Sequence, residues 1–111
     1  MEIKNLRKFR SLVRNQLPFI DTLSDYDIVV EIGYHQELRR PFSLKQLLLS
    51  EFAPPATIRR RLSRLVSLGV VVKRVDRDDG RFVRLTLERE PYRRLRHMAR
   101  LVEPVGVRVA T

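Results

Sequence analysis

The side chains of this sequence with the clearest chemistry are arginines, and most of the basic charge lies in one stretch. Residues 56–100 contain 14 Arg and Lys against five Asp and Glu, so this stretch carries +9 of the chain's net charge of +10. A guanidinium group can donate two parallel hydrogen bonds to a phosphate or to the edge of guanine. The concentration of charge favours a nucleic-acid-binding surface, and the alternative is a solvated basic face without a partner.

One predicted helix, 54–68, carries both apolar and basic residues on separate sides. Ile58, Leu62 and Leu65 share one side at helical spacing. Small and basic residues point the other way, which allows a helix to enter a groove and contact phosphates or base edges. We therefore expect contacts with DNA in the major groove from Ala56, Thr57, Arg59, Arg60, Ser63 and Arg64. Thr57 lies close to the helix start and is equally suited to capping it.

The elements around this helix resemble a helix-turn-helix in their order. Ser43 and Gln46 form a predicted capping box, which starts a short helix that ends near Phe52. Pro54 and Pro55 then break the chain and open the basic helix, because proline suits the first helical turn. Gly69 is the predicted residue after the helix end. A short capped helix, a tight break and a basic helix are the pattern of a DNA-binding motif.

A predicted hairpin, 70–87, follows the basic helix and would form a wing. The strands 70–75 and 81–87 flank a turn with an Asp79-Gly80 pair, and one face of the second strand is apolar. An arginine that enters a narrow minor groove gains from its negative potential. We expect Lys73, Arg77 and Arg81 to contact the adjacent minor groove, with the carboxylate of Asp79 holding Arg81 in place.

Two amphipathic helices are predicted to flank the motif, at 1–18 and 91–103, with a further helix opening at Ser24. Their apolar stripes are either core or a dimer face, and we predict a homodimer through seven residues: Ile3, Leu6, Phe9, Val13, Leu17, Leu95 and Val102. The arginines of the last helix form either a solvated face or extra phosphate contacts. The predicted fold is mainly α with a small antiparallel β-hairpin, in one domain at 1–104 with a tail at 105–111.

The motif residues resemble the MarR family of winged helix-turn-helix regulators. The resemblance lies in Leu47-Leu48, Thr57-Ile58, Leu62-Ser63-Arg64-Leu65, Leu68-Gly69-Val70-Val71, and the hairpin residues Arg74, Asp79, Arg81 and Leu85-Thr86-Leu87. It implies a homodimeric transcriptional regulator on a pseudo-palindromic duplex, with dimer contacts from the first and last helices. It also implies that 54–68 is the recognition helix and that Arg77 and Arg81 belong to the wing.

Other functional classes find little support in the sequence. There is no cysteine, no glycine-rich phosphate loop and no HExxH motif, and His35 and His97 lack metal-ligand spacing, so we expect no enzyme activity, metal or cofactor. We expect a cytoplasmic protein without a membrane span or a signal segment. Two alternatives stay open: an RNA-binding or protein-docking winged helix, and a regulator that senses a small molecule through Tyr26, Tyr34 and Tyr92, which core packing explains equally well.

Overall fold

The computed structural model describes residues 2–102 and contains five helices and one hairpin. The predicted class, mainly α with an antiparallel hairpin, is confirmed. Glu103, Pro104 and the predicted tail 105–111 lie outside the described residues. The elements in chain order are α1 (Ile3–Gln16), α2 (Leu23–Glu37), α3 (Leu44–Leu48), α4 (Pro55–Ser67), β1 (Val71–Val75), β2 (Val83–Leu87) and α5 (Arg89–Val102).

Helix α2 begins at Leu23 with Thr22 as its cap, whereas the sequence suggested that the helix opens at Ser24 and that Ser24 could cap it. The Asp25 N–H donates to Thr22 Oγ1 at 3.1 Å, and the Thr22 N–H donates to Asp25 Oδ2 at 3.2 Å. This reciprocal capping box satisfies two backbone donors that the first helical turn leaves free. Thr22 and Ser24 both have an aspartate three positions later, Asp25 and Asp27, so the sequence spacing alone does not distinguish the two caps.

Helices α3 and α4 form the predicted helix-turn-helix pair. The capping box of α3 is confirmed, with Ser43 Oγ accepting from the Gln46 N–H at 3.1 Å, but α3 ends at Leu48 rather than near Phe52. Pro54 is the N-cap of α4 and makes no side-chain cap bond, so the capping role considered for Thr57 is wrong. Gly69 follows α4 with φ of +73°, a conformation that glycine adopts without steric cost.

The hairpin pairs Val71 with Leu87 and Val75 with Val83 in antiparallel register. Both strands are shorter than predicted: β1 begins at Val71 rather than Val70, and β2 begins at Val83 rather than Arg81 because the turn between the strands is wider than predicted. The Asp76 N–H donates to the Phe82 carbonyl at 2.9 Å, and Asp76 Oδ1 accepts from the N–H groups of Asp78 (2.9 Å) and Asp79 (3.3 Å). These bonds order the turn at the end of the wing.

Buried side chains form two clusters. The larger one joins α2, α3, α4 and the hairpin, and its fully buried members include Ile28, Ile32, Leu47, Ile58, Leu65 and Leu85. The smaller one contains Val13 and Leu17 of the N-terminal segment and Met98 of α5. Within residues 2–102, no helix has the length and apolar character that a membrane crossing needs.

Candidate nucleic-acid interface

The outward side of α4 matches the predicted DNA-contacting face except at Arg64. Ala56, Arg59, Arg60 and Ser63 are exposed and Thr57 is partly exposed, because Ile58, Leu62 and Leu65 occupy the buried side. Neither Arg59 nor Arg60 forms an ion pair with another residue of 2–102. Their charges are therefore available to a polyanion.

Arg64 is not the exposed residue that the sequence predicted. Its side chain is 29% exposed, and it donates from Nη1 to the Phe19 carbonyl at 2.8 Å and to Asp25 Oδ2 at 3.2 Å. Its Nη2 lies 2.9 Å from Asp21 Oδ2. The helical wheel places Arg64 at the edge of the outer face, but acidic residues at the start of α2 draw its side chain back toward the protein.

Arg61 and Asp25 form the centre of the same network. Arg61 donates from Nε to Asp25 Oδ1 at 2.7 Å and from Nη2 to Asp25 Oδ2 at 2.6 Å, a two-point geometry that fixes both side chains. Burial opposes ionisation of Asp25, but hydrogen bonds from Arg61 and from the backbone of Asp21 and Thr22 outweigh it and hold its pKa below the usual value. The carboxylate therefore stays charged at neutral pH.

The wing presents exposed cations beside an ordered turn. Lys73, Arg77 and Arg81 are all exposed and form no ion pair within the described part of the chain, so their contact with the minor groove stays a prediction. The predicted role of Asp79 is wrong in detail: its Oδ1 accepts from the backbone N–H of Arg81 at 3.0 Å, not from the guanidinium. Asp79 therefore orders the backbone of the turn and does not bind the guanidinium of Arg81.

Helix α2 contacts both α4 and the hairpin. Asp25, near its first turn, binds Arg61 and Arg64 of α4. Gln36, near its last turn, accepts from the Leu87 N–H at 2.8 Å. Sequence reasoning missed both residues. A Thr-x-x-Asp spacing at Thr22 could have revealed the capping role of Asp25, but no local pattern reveals its partners in α4.

The three tyrosines singled out in the sequence border one cavity of about 320 Å³. Tyr26 and Tyr34 come from α2 and Tyr92 comes from α5. The lining is largely apolar and includes Phe9 of α1, which makes an edge-on contact with Tyr26, with ring centroids 6.1 Å apart. Glu37 and Arg96 also line the cavity and approach to 3.6 Å.

The seven predicted dimer residues separate into three groups by burial. Ile3 and Leu6 are 79% and 60% exposed, so residues 2–102 leave their apolar surface uncovered. Val13 and Leu17 are buried against Met98, so their assignment to a dimer face is wrong: the chain's own α5 covers them. The other three, Phe9, Leu95 and Val102, are partly buried.

No protein-family model matches the sequence, and no curated protein matches it. Solved structures do match. A MarR mutant from E. coli has a TM-score of 0.61 at 22% identity, over 89% of this chain and 70% of that one. The chain has the MarR-type winged-helix fold. A MepR mutant from S. aureus bound to an oligodeoxyribonucleotide has a TM-score of 0.69 at 13% identity, over 95% of this chain and 79% of that one.

A third similar structure is a probable transcriptional regulator from Pseudomonas aeruginosa, with a TM-score of 0.56 at 22% identity, over 94% of this chain and 81% of that one. The resemblance found in the sequence motifs and the three-dimensional match therefore agree. The structural neighbours named here are regulators rather than enzymes.

Proposed function

We propose that this chain is a transcriptional regulator, not an enzyme, that binds duplex DNA with α4 in the major groove and the tip of the hairpin in the adjacent minor groove. The main support for the proposal is that α4 and the wing each present an exposed basic surface and that both elements bind α2. The proposed contacts are Ala56, Thr57, Arg59, Arg60, Ser63, Lys73, Arg77 and Arg81. Arg64 is left out because its guanidinium is engaged by Asp21 and Asp25.

The outer face of α4 favours DNA over a protein partner. A protein-docking face would carry exposed apolar residues at its centre, whereas the centre of this face carries Arg60 and Ser63. The DNA-bound MepR mutant, which has a similar fold, supports the choice of duplex DNA. A homodimer would place two such faces on a pseudo-palindromic site, with Ile3 and Leu6 at the contact between copies. The cytoplasmic location stays a prediction.

A titration of purified protein into labelled random-sequence duplex at two salt concentrations tests this function. Proteins that neutralise about 6–10 phosphates lose ~10³–10⁵ in affinity between about 50 and 200 mM salt. We expect a loss of this size for the dimer, and no displacement by single-stranded RNA. Weak binding without salt dependence would contradict the proposal, and displacement by RNA would favour an RNA-binding role.

A second candidate function, response to a small molecule, is favoured by the cavity between α2 and α5. Its largely apolar lining, with three tyrosine rings, suits a small apolar compound with few polar groups. A screen by thermal shift tests it, with Val30→Trp as a control variant that fills the cavity. A compound that stabilises the wild type and not the variant, and that changes duplex affinity, would support sensing. A screen without such a compound would leave the cavity as a packing feature.

A further inference from the structure

Asp25 is the only buried charged side chain among residues 2–102. Its two oxygens accept five hydrogen bonds: two from Arg61, one from Arg64, and one each from the backbone N–H groups of Asp21 and Thr22. No proposed DNA contact involves Asp25, so the function proposed above does not account for it. A buried carboxylate with this many partners must stabilise one arrangement of the groups around it.

The charges of this network cancel. Asp21 and Asp25 face Arg61 and Arg64, so two of the four arginines of α4 are neutralised within the protein. Arg61 is 18% exposed and Arg64 is 29% exposed, whereas Arg59 and Arg60 remain exposed and unpaired in the described part of the chain. The helix thus offers DNA only half of its guanidinium groups.

A contribution to the stability of the fold does not by itself explain the buried ion pair between Arg61 and Asp25. Replacing such a pair by packed apolar residues is often neutral or stabilising, because the desolvation of the charges offsets their attraction. An apolar contact, however, tolerates rotation of α4 about its axis, whereas the two-point bond between Arg61 and Asp25 does not. The network therefore restricts the direction in which the outer face of α4 points.

We infer that Asp25 is a positioning residue for DNA recognition: it keeps Arg61 and Arg64 off the duplex and fixes the orientation of α4, so that base discrimination depends on Asp25. This inference rests on the proposed function. It predicts that removal of the Asp25 charge leaves one arginine charge of the network unbalanced and available for non-specific phosphate contacts, since Asp21 still pairs with Arg64. It also predicts that the outer face of α4 can then turn. Non-specific affinity then rises while discrimination falls.

Two variants test the inference, after a preferred duplex has been selected with the wild type from a random-sequence pool. Asp25→Asn keeps the shape and the capping acceptor but removes the charge. The triple variant Asp25→Asn with Arg61→Gln and Arg64→Gln also removes the two cations. For each, the affinities for the selected and the random duplex are measured over a range of salt, together with the circular dichroism of the free protein.

We expect Asp25→Asn to steepen the salt dependence on random duplex by up to about one in log–log slope, since each phosphate contact contributes ~0.9 and Asp21 still balances one of the two arginines. We expect its discrimination between the two duplexes to fall by ~10-fold or more, because base contacts depend on the placement of the helix. The triple variant should return to the wild-type salt slope and still discriminate poorly. The matched control is Glu90→Gln, which frees the exposed Arg93 and Arg94 of α5 and should leave discrimination unchanged.

Two results would overturn the inference. The first is a triple variant whose salt slope is about two lower than that of the wild type, because Arg61 and Arg64 would then contact DNA. The second is a folded Asp25→Asn or triple variant that discriminates like the wild type. If Asp25→Asn does not fold, the triple variant decides alone. A wild type without salt-dependent duplex binding would instead refute the proposed function.

Discussion

The side-chain amide of Gln36 in α2 binds the backbone of Leu87 in β2: Oε1 accepts from the Leu87 N–H at 2.8 Å, and Nε2 lies 3.5 Å from the Leu87 carbonyl oxygen. This contact spans 51 positions of sequence and joins the end of α2 to the second strand of the wing. At the start of the same helix, Asp25 binds α4. Helix α2 therefore binds α4 near one of its ends and the hairpin near the other.

The first prediction concerns Gln36. Replacement by Leu keeps much of the volume but leaves two partly buried backbone groups of Leu87 without the amide. We expect the free energy of unfolding to fall by ~1–3 kcal/mol, the cost of unsatisfied polar groups, in urea denaturation. Asn15→Ala, at an exposed position of α1, should stay within ~0.5 kcal/mol of the wild type. An unchanged stability for Gln36→Leu would show that this contact does not hold the wing.

The second prediction concerns Arg60 on the outer face of α4. Arg60→Ala should weaken binding to the selected duplex by ~1–3 kcal/mol if the guanidinium contacts a base, and leave the free energy of unfolding unchanged. Arg93→Ala is the control, because Arg93 is an exposed arginine on α5 that pairs with Glu90. Equal loss for both variants would mean that general positive charge, not α4, determines binding.

The outer face of α4 could be predicted because it depends only on the residues of that helix. Ile58, Leu62 and Leu65 fix which side is buried, and this fixes the exposure of Arg60 and Ser63. Arg64 was mispredicted because its partners, Asp21 and Asp25, lie 43 and 39 positions away in sequence. The apolar stripe of the N-terminal segment could not be interpreted from the sequence for the same reason. The spacing of Val13 and Leu17 is the same whether they are covered by α5 of the same chain or by a second copy of the chain.

The third prediction concerns pH. The pKa of Asp25 is lower in the folded protein than in the unfolded chain, because the hydrogen bonds from Arg61 and the backbone outweigh the effect of burial. A depressed carboxylate pKa contributes stability that is complete above the unfolded value, near 3.8, and is lost as pH falls through the folded value. Urea denaturation in steps from neutral pH to acid should show this loss.

The loss should be smaller in the Asp25→Asn variant, which has no carboxyl group to protonate at this position. Asp78→Asn serves as the matched control, since Asp78 is exposed and its carboxylate accepts no hydrogen bond from the described residues. A wild-type acid dependence that persists fully in Asp25→Asn would assign it to other groups.

The fourth prediction concerns Gly33, where α2 passes close to two neighbours. A Cβ atom at this position would collide with the Leu95 side chain of α5 and lie 3.3 Å from Leu87 Cδ1. We expect Gly33→Ala to lower the free energy of unfolding by ~1–3 kcal/mol through overpacking. Gly80→Ala has open space around it and should have a small effect. A neutral Gly33→Ala would mean that Leu95 moves freely into the adjacent cavity.

The fifth prediction concerns self-association through the exposed start of α1. Ile3 and Leu6 leave apolar surface uncovered by residues 2–102, and a second copy could bury it. We expect a dimer at micromolar concentration in sedimentation velocity, and a monomer for Leu6→Glu, because an unpaired carboxylate at the contact is costly to desolvate. Leu23→Glu is the control, since Leu23 is 82% exposed in the first turn of α2, where an acidic residue suits the helix dipole. A wild-type monomer would contradict the predicted homodimer, and a dimeric Leu6→Glu would place the contact elsewhere.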